Sequence, residues 1–244
     1  MSERWLKVEL HSHCNLDPHD FRICDYSPEV LIQQAARLRY EALAITCHNL
    51  DVWNPGLAAY AEGHGITLIP GMEVSVGGRR HCLVYNFQTA AQNLDSLAKI
   101  QALRRENTLV VAPHPFYPAR TCLGRELERN LEAFDAIEFS GFYTRSIDFN
   151  RKARKLAIKW KIPLVGTADV HCLWQLGRTF TWIYAEPAVD PILKAIRQGR
   201  IRVETQPLTL PEAIRWWSSA LLRLVYRPKS IHSDRSAAFA RDLP

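Results

Sequence analysis

Apolar positions along this chain fall in two alternating rhythms. Short continuous runs are separated by stretches in which apolar residues recur every three or four positions. The runs lie at 6–10, 42–46, 66–69, 82–86, 109–112, 136–139, 164–167, 180–184 and 201–203 and predict strands. Helices are predicted between them at 28–39, 55–62, 93–105, 126–134, 147–160 and 191–198. Ser27 before Pro28 is a helix start, because the hydroxyl can cap free N–H groups and proline suits the first turn. Gly63 and Gly65 stop the second helix. Such alternation is the mark of parallel βα units, and so many of them in about 205 residues predict an α/β barrel or a closely related closed sheet.

Polar residues able to bind a metal gather where the apolar runs end. His11-Ser12-His13 closes the first strand, and period-2 geometry puts both imidazoles on one face, roughly 6–7 Å apart. His48 follows the second strand, Glu73 lies just past a Pro70-Gly71 turn, and His81 precedes the run 82–86. His114 sits between Pro113 and Pro115 directly after 109–112, while Asp169 and His171 share a face directly after 164–167. In a barrel these are rim positions at the strands' C-terminal ends, where active sites are built. Any one of these residues could be an ordinary buried side chain; their concentration at strand ends points to metal. Imidazole mixed with carboxylate suits Zn²⁺, Mn²⁺ or Fe²⁺. The set is too large for one tetrahedral ion, so two or three divalent metals are expected, with a carboxylate such as Glu73 bridging a pair. His64, flanked by glycines, reads as a surface turn, and His232 belongs to the C-terminal tail.

The 244 residues are 47% hydrophobic, enough for a substantial core, and carry a formal charge of +6. A basic surface attracts phosphate-bearing partners, but there is no Lys/Arg-rich run or aromatic-basic repeat of a nucleic-acid platform. A small anionic substrate explains the charge equally well. Cys14, Cys24, Cys47, Cys82, Cys122 and Cys172 form no CxxC pair, so neither a disulfide framework nor a zinc ribbon is expected. Cys14, Cys82 and Cys172 each follow a candidate ligand and are expected on the opposite, packed face of their strands. No signal-peptide pattern and no apolar run of about 18 residues is present, which makes the cytoplasm the expected address. The domain plan is a barrel over 1–205, a helical extension over 206–228 and a tail over 229–244. The extension carries an apolar-rich helix at 210–226, expected to pack on the barrel.

The segments Val8-Glu9-Leu10-His11-Ser12-His13, Ile45-Thr46-Cys47-His48-Asn49, Pro70-Gly71-Met72-Glu73-Val74-Ser75, His81-Cys82-Leu83-Val84-Tyr85, Pro113-His114-Pro115 and Ala168-Asp169-Val170-His171 occur in that order. Together they resemble the PHP family, named for polymerase and histidinol phosphatase domains. The resemblance implies a distorted (β/α)7 barrel with up to three metals at its rim and metal-dependent phosphoester hydrolysis. By position it implies a first metal held by His11, His13, Glu73 and Asp169 and a second by Glu73, His81 and His114. A third would take His48, His171 and one residue from the loop after His13, either His19 or Asp17. Cys47 departs from the family's usual Thr-Asp-His at this point.

The expected activity is hydrolysis of a small phosphorylated substrate by a metal-activated hydroxide, with Glu73, Asp169 and His171 as the catalytic residues. The alternatives are a phosphodiesterase or nuclease acting on DNA or RNA, and a catalytically degenerate metal-binding barrel. An amidohydrolase would use similar metals but commonly brings a rim lysine, and none is found here. The stretches 15–27 and 116–124 are expected to shape the pocket. The oligomeric state is left open.

Overall fold

The computed structural model describes residues 2–225. In chain order the elements are β1 (Arg4–Glu9), α1 (Pro28–Arg37), β2 (Ala42–Ala44), α2 (Pro55–Gly63), β3 (Thr67–Ile69), β4 (Gly71–Val76), β5 (Arg80–Tyr85), α3 (Leu97–Leu103) and β6 (Leu109–Ala112). They continue with α4 (Arg125–Arg129), β7 (Ala136–Ser140), α5 (Asn150–Trp160), β8 (Leu164–Thr167), β9 (Thr179–Ala185), α6 (Val189–Arg197), β10 (Ile201–Thr205) and α7 (Leu210–Val225). Local chemistry accounts for the helix starts. Ser27 caps α1 by accepting from the Val30 amide, and the Asn54 side chain caps α2 by accepting from Leu57. Helix α1 then buries Leu31, Ile32 and Ala35 along one stripe.

The strands form two five-stranded sheets, ordered β10-β9-β1-β2-β3 and β4-β5-β6-β7-β8. The mixed α/β class holds, while among the described residues the ladders form these two sheets and do not show the distorted (β/α)7 barrel as one closed ring. Parallel pairing holds for β1–β2, β2–β3, β6–β7 and β7–β8, but β4–β5, β5–β6, β1–β9 and β9–β10 are antiparallel. Strand β4 was read from the sequence only as a turn. It alternates Met72, Val74 and Val76 on a packed face with Glu73 and Ser75 on the other. Its hairpin to β5 turns at Gly77 and Gly78, whose φ angles of 57° and 80° suit glycine.

Between β8 and β9 a side chain takes the place of a ladder. The Gly166 amide donates to Thr181 Oγ1, and that hydroxyl donates to the Gly166 carbonyl, both at 2.8 Å. Gly166 permits the approach, since a Cβ there would lie 2.5 Å from Val203 Cγ1 and 3.0 Å from the Phe180 carbonyl. At the rim the strand extensions make isolated bridges, Ser12 with Val170 and His48 with Glu73. Residues from both sheets, among them Leu6, Val8, Leu83, Val111, Val165 and Ile183, meet in one apolar core below that rim.

A second compact unit begins at Thr209. Its helix α7 opens with Glu212 accepting from the Thr209 amide and hydroxyl at 2.8 and 2.6 Å, a capping arrangement. The tail expected over 229–244 lies outside the described residues, as does His232. Among the described residues no helix is long and apolar enough to cross a membrane.

Candidate metal centre

Strand geometry sets the first pair of candidate ligands. Residues 10–13 extend β1, with the His13 amide donating to the Val170 carbonyl and the Val170 amide to that of His11. Ser12 points away and donates to the Ala44 carbonyl, so His11 and His13 share a face with ring centroids 5.2 Å apart. His48 rides an extension of β2, where the Asn49 amide donates to the Glu73 carbonyl. His81 is a β5 residue paired with Ser75. His114 and Asp169 leave β6 and β8 with φ of 28° and 46°. This left-handed region strains residues other than glycine and is characteristic of functional positions.

Glu73 lies at the centre, buried, with its two oxygens facing different histidines. Oε1 is 2.7 Å from His81 Nδ1 and 3.2 Å from His114 Nε2. Oε2 is 3.1 Å from His48 Nε2, 3.3 Å from His11 Nε2 and 3.5 Å from His13 Nε2. Asp169 Oδ1 stands 3.3 Å from Nε2 of both His11 and His13. Behind these contacts a further layer of acceptors holds the rings. Buried Glu138 accepts from His11 Nδ1 at 2.8 Å, from the His114 amide and from the Thr167 hydroxyl. Asp17 accepts from His13 Nδ1 at 2.7 Å and from His48 Nδ1 at 3.0 Å. The Asp169 carbonyl accepts from His171 Nδ1 at 2.9 Å, while His171 Nε2 is 3.1 Å from Asp20 Oδ2.

This donor set fits a bound cation. His11, His13, His48 and His171 each have acceptor oxygens at both ring nitrogens, although a neutral imidazole carries only one N–H. Each therefore needs a second proton or a metal ion at Nε2. Asp169 Oδ1 and His13 Nε2 are buried, yet their approach lacks hydrogen-bond geometry and both atoms are left without such a partner. Ionisation behaves accordingly. Burial opposes the charge on Glu73 and Asp169, but the surrounding imidazoles outweigh it and hold both carboxyls well below the usual range. Burial likewise opposes charging His13, but Asp169 and Asp17 push its pKa up to about 10. His11, His48 and His114 are raised as well, against burial, by neighbouring carboxylates and, at His114, a contact with the Cys122 thiol.

Among the described residues, five groups of His, Asp and Glu side chains converge closely enough to hold a metal ion. They bring together His11, His13, His48, Glu73, His81, His114, Asp169 and His171, along with Asp17. His19 joins none of them; it is exposed, with its ring 4.7 Å from that of His48. Asp20 and Glu138 belong to these groups and were not singled out in the sequence. Glu138 had a readable signal, a charge inside the apolar run of β7, as did buried Glu9 at the end of β1. Glu9 accepts from the Leu10, His11 and Ala168 amides, and burial pushes its pKa up to about 8. Asp20 had no such signal. Cys14 and Cys82 are buried as expected, and Cys172 is half-buried. Cys47 is buried with Sγ 3.5 Å from that of Cys14; this contact, together with burial, pushes its thiol pKa up, which suits packing rather than metal ligation.

The PHP-associated family profile matches residues 148–201, from the start of α5 to that of β10. The uncharacterized protein MJ0417 of Methanocaldococcus jannaschii is 24% identical over 181 residues, covering 72% of this chain and 69% of that protein. Among solved structures, PsfC from Pseudomonas syringae PB-5123 shares the fold, with a TM-score of 0.55 and 19% identity over 92% of this chain and 99% of that one. An amidohydrolase from Chromobacterium violaceum, solved with bound sulfate and no metal, aligns with a TM-score of 0.51 and 16% identity, covering 88% of this chain and 96% of its own.

Proposed function

We propose that this chain, a member of the PHP-domain family, is a metal-dependent hydrolase whose substrate is a small phosphoester. The observation that carries the reading is Glu73, whose oxygens face separate sets of histidines, as a carboxylate shared by two cations would. His11, His13, Glu73 and Asp169 would hold one ion, and Glu73, His81 and His114 a second. His48 and His171 would hold a third together with a residue of the loop after His13. For that place the contact of Asp20 with His171 Nε2 favours it over His19. When bound, the ions supply Lewis acidity and lower the pKa of water, the chemistry that phosphoester hydrolysis needs near neutral pH. Zn²⁺ and Mn²⁺ match the ligand types best.

The chain's own residues prepare that chemistry. Glu138, Asp17 and the Asp169 carbonyl each take an Nδ1 proton, which leaves Nε2 of His11, His13, His48 and His171 facing the centre. Glu73 and Asp169 stay ionised and provide the negative charge that retains the cations. His171, with Nδ1 engaged, is oriented to present Nε2 to the third ion.

The test is phosphate release by purified protein with Zn²⁺ or Mn²⁺ across a panel of phosphomonoesters. Phosphodiesters and amides run alongside, with metal content measured on the same samples. Phosphomonoester turnover that disappears in His11→Ala and Asp169→Ala is the expected result. Bound metal with turnover of phosphodiesters or amides alone would move the assignment to that bond. A protein that takes up no metal would sink the proposal.

A further inference from the structure

Asp17 reads as a ligand by its chemistry and by its place among His13, Asp20 and His48. Its contacts assign it a different task. Oδ1 accepts from the His19 amide at 2.7 Å and from the Asp20 amide at 3.0 Å. Oδ2 accepts from His13 Nδ1 at 2.7 Å, from the His48 amide at 2.9 Å and from His48 Nδ1 at 3.0 Å. A carboxylate offers about four lone-pair sites. Here five donors crowd a side chain with no exposed surface, and neither oxygen has capacity left for a metal.

We propose that Asp17 is a positioning residue, a single carboxylate that holds two metal-facing histidines at once and folds the loop that presents Asp20. Its Oδ2 takes the Nδ1 protons of His13 and His48, so both rings turn Nε2 toward the same oxygen, Glu73 Oε2, at 3.5 and 3.1 Å. Its Oδ1 closes a tight turn over residues 17–20, which sets Asp20 Oδ2 3.1 Å from His171 Nε2 and 3.4 Å from His48 Nδ1. Asp17 therefore couples ligands from β1, from the extension of β2 and from the loop. Carboxylates behind metal-bound imidazoles fix the tautomer and ring angle, and losing one typically weakens metal binding by about 10–100-fold. Asp17 would do so for two rings together, on the side of the centre where Cys47 offers no carboxylate.

The inference rests on the metal-centre reading above, and its test separates the two. In the zinc-loaded full-length protein, two-bond imidazole ¹H–¹⁵N correlations should show His13 and His48 metallated at Nε2, each with a slowly exchanging Nδ1 proton. Coordination through Nδ1 of either ring would overturn the proposal without any variant being made. Asp17→Asn keeps the side chain's shape but places an amide where the acceptor was. It should bind zinc about 10–100-fold more weakly by chelator competition. At saturation its Co²⁺ absorption spectrum and metal stoichiometry should match the wild type, because no ligand has been removed. Loss of one metal equivalent with a shifted Co²⁺ spectrum would make Asp17 a ligand, and zinc affinity within about threefold of wild type would also refute the positioning role. If the wild type takes up no metal, the proposed function fails. The ring protons of the metal-free protein then decide the hold on His13 and His48: slow exchange in the wild type that is lost in Asp17→Asn supports it, and fast exchange in both refutes it.

Discussion

The two sides of the centre are built by different means. One side is carried by strands. His81 is a β5 residue paired in register with Ser75, Glu73 lies on β4, and His11 and His13 extend β1 within backbone bridges. The other side is carried by the loop between β1 and α1. There the turn over residues 17–20 is closed by Asp17 itself, and Asp20 reaches His171 and His48 from it. A strand fixes a side chain's direction through its period, whereas a loop needs a polar side chain to do so. The strand-borne side is thus assembled by the fold, and the loop-borne side by the ligands' own neighbours.

Glu73→Gln should break the comparison most severely, because Glu73 serves both sides. Removing its charge should lower phosphate release by about 10²–10³-fold, the scale seen when a preorganised electrostatic group is lost. Metal content should fall by more than one equivalent. Loss of a single equivalent would mean that Glu73 is not shared by two ions.

A smaller effect separates the metal-free from the metal-loaded chain by pH. Glu73, Asp169 and Asp17 have folded pKa values below their unfolded ones, so their stabilisation is present above about pH 4 and is lost as pH falls further. His11, His13, His48 and His114 are raised, so theirs is complete below about pH 6.5 and is lost as pH rises through the folded values. For His13 that folded value is about 10. With chelator present, Tm should peak between about pH 4.5 and 6.5 and then decline toward pH 10. With zinc the optimum should move to higher pH, because ligation requires deprotonated imidazoles. A chelated protein most stable at pH 8–9 would contradict the charge arrangement described.

The smallest effect is expected from His19→Ala. His19 is exposed and stands outside the metal-binding groups, so stability should stay within about 0.5 kcal/mol and metal content should not change. A lost metal equivalent would return His19 to the ligand set and displace Asp20.

The same division decides what could be read from the sequence. His11, His13, His114, Asp169 and His171 were legible because each sits at a fixed offset from an apolar run, and strand direction converts that offset into position. Glu73 was found without its strand: the Pro70-Gly71 pair suggested a turn, while the alternation of Met72, Val74 and Val76 that forms β4 carried the stronger signal. Between β3 and β6 that hairpin replaces a helical crossover, so the strands there pair antiparallel where parallel βα units are expected. The loop after β1 was not legible, because whether Asp17, His19 or Asp20 turns inward depends on which backbone amides Asp17 captures. No periodicity encodes that choice.

The contact between Gly166 and Thr181 gives the molecule a seam. Within each sheet neighbouring strands share a ladder, whereas β8 and β9, from different sheets, are joined by a threonine hydroxyl that both accepts from and donates to the same glycine. Asp169 and His171 leave the rim directly beyond β8, on either side of Val170, whose backbone is bonded to His11 and His13. The two sheets are thus joined at this edge without a shared ladder, while Val170 ties Asp169 and His171 to the extension of β1.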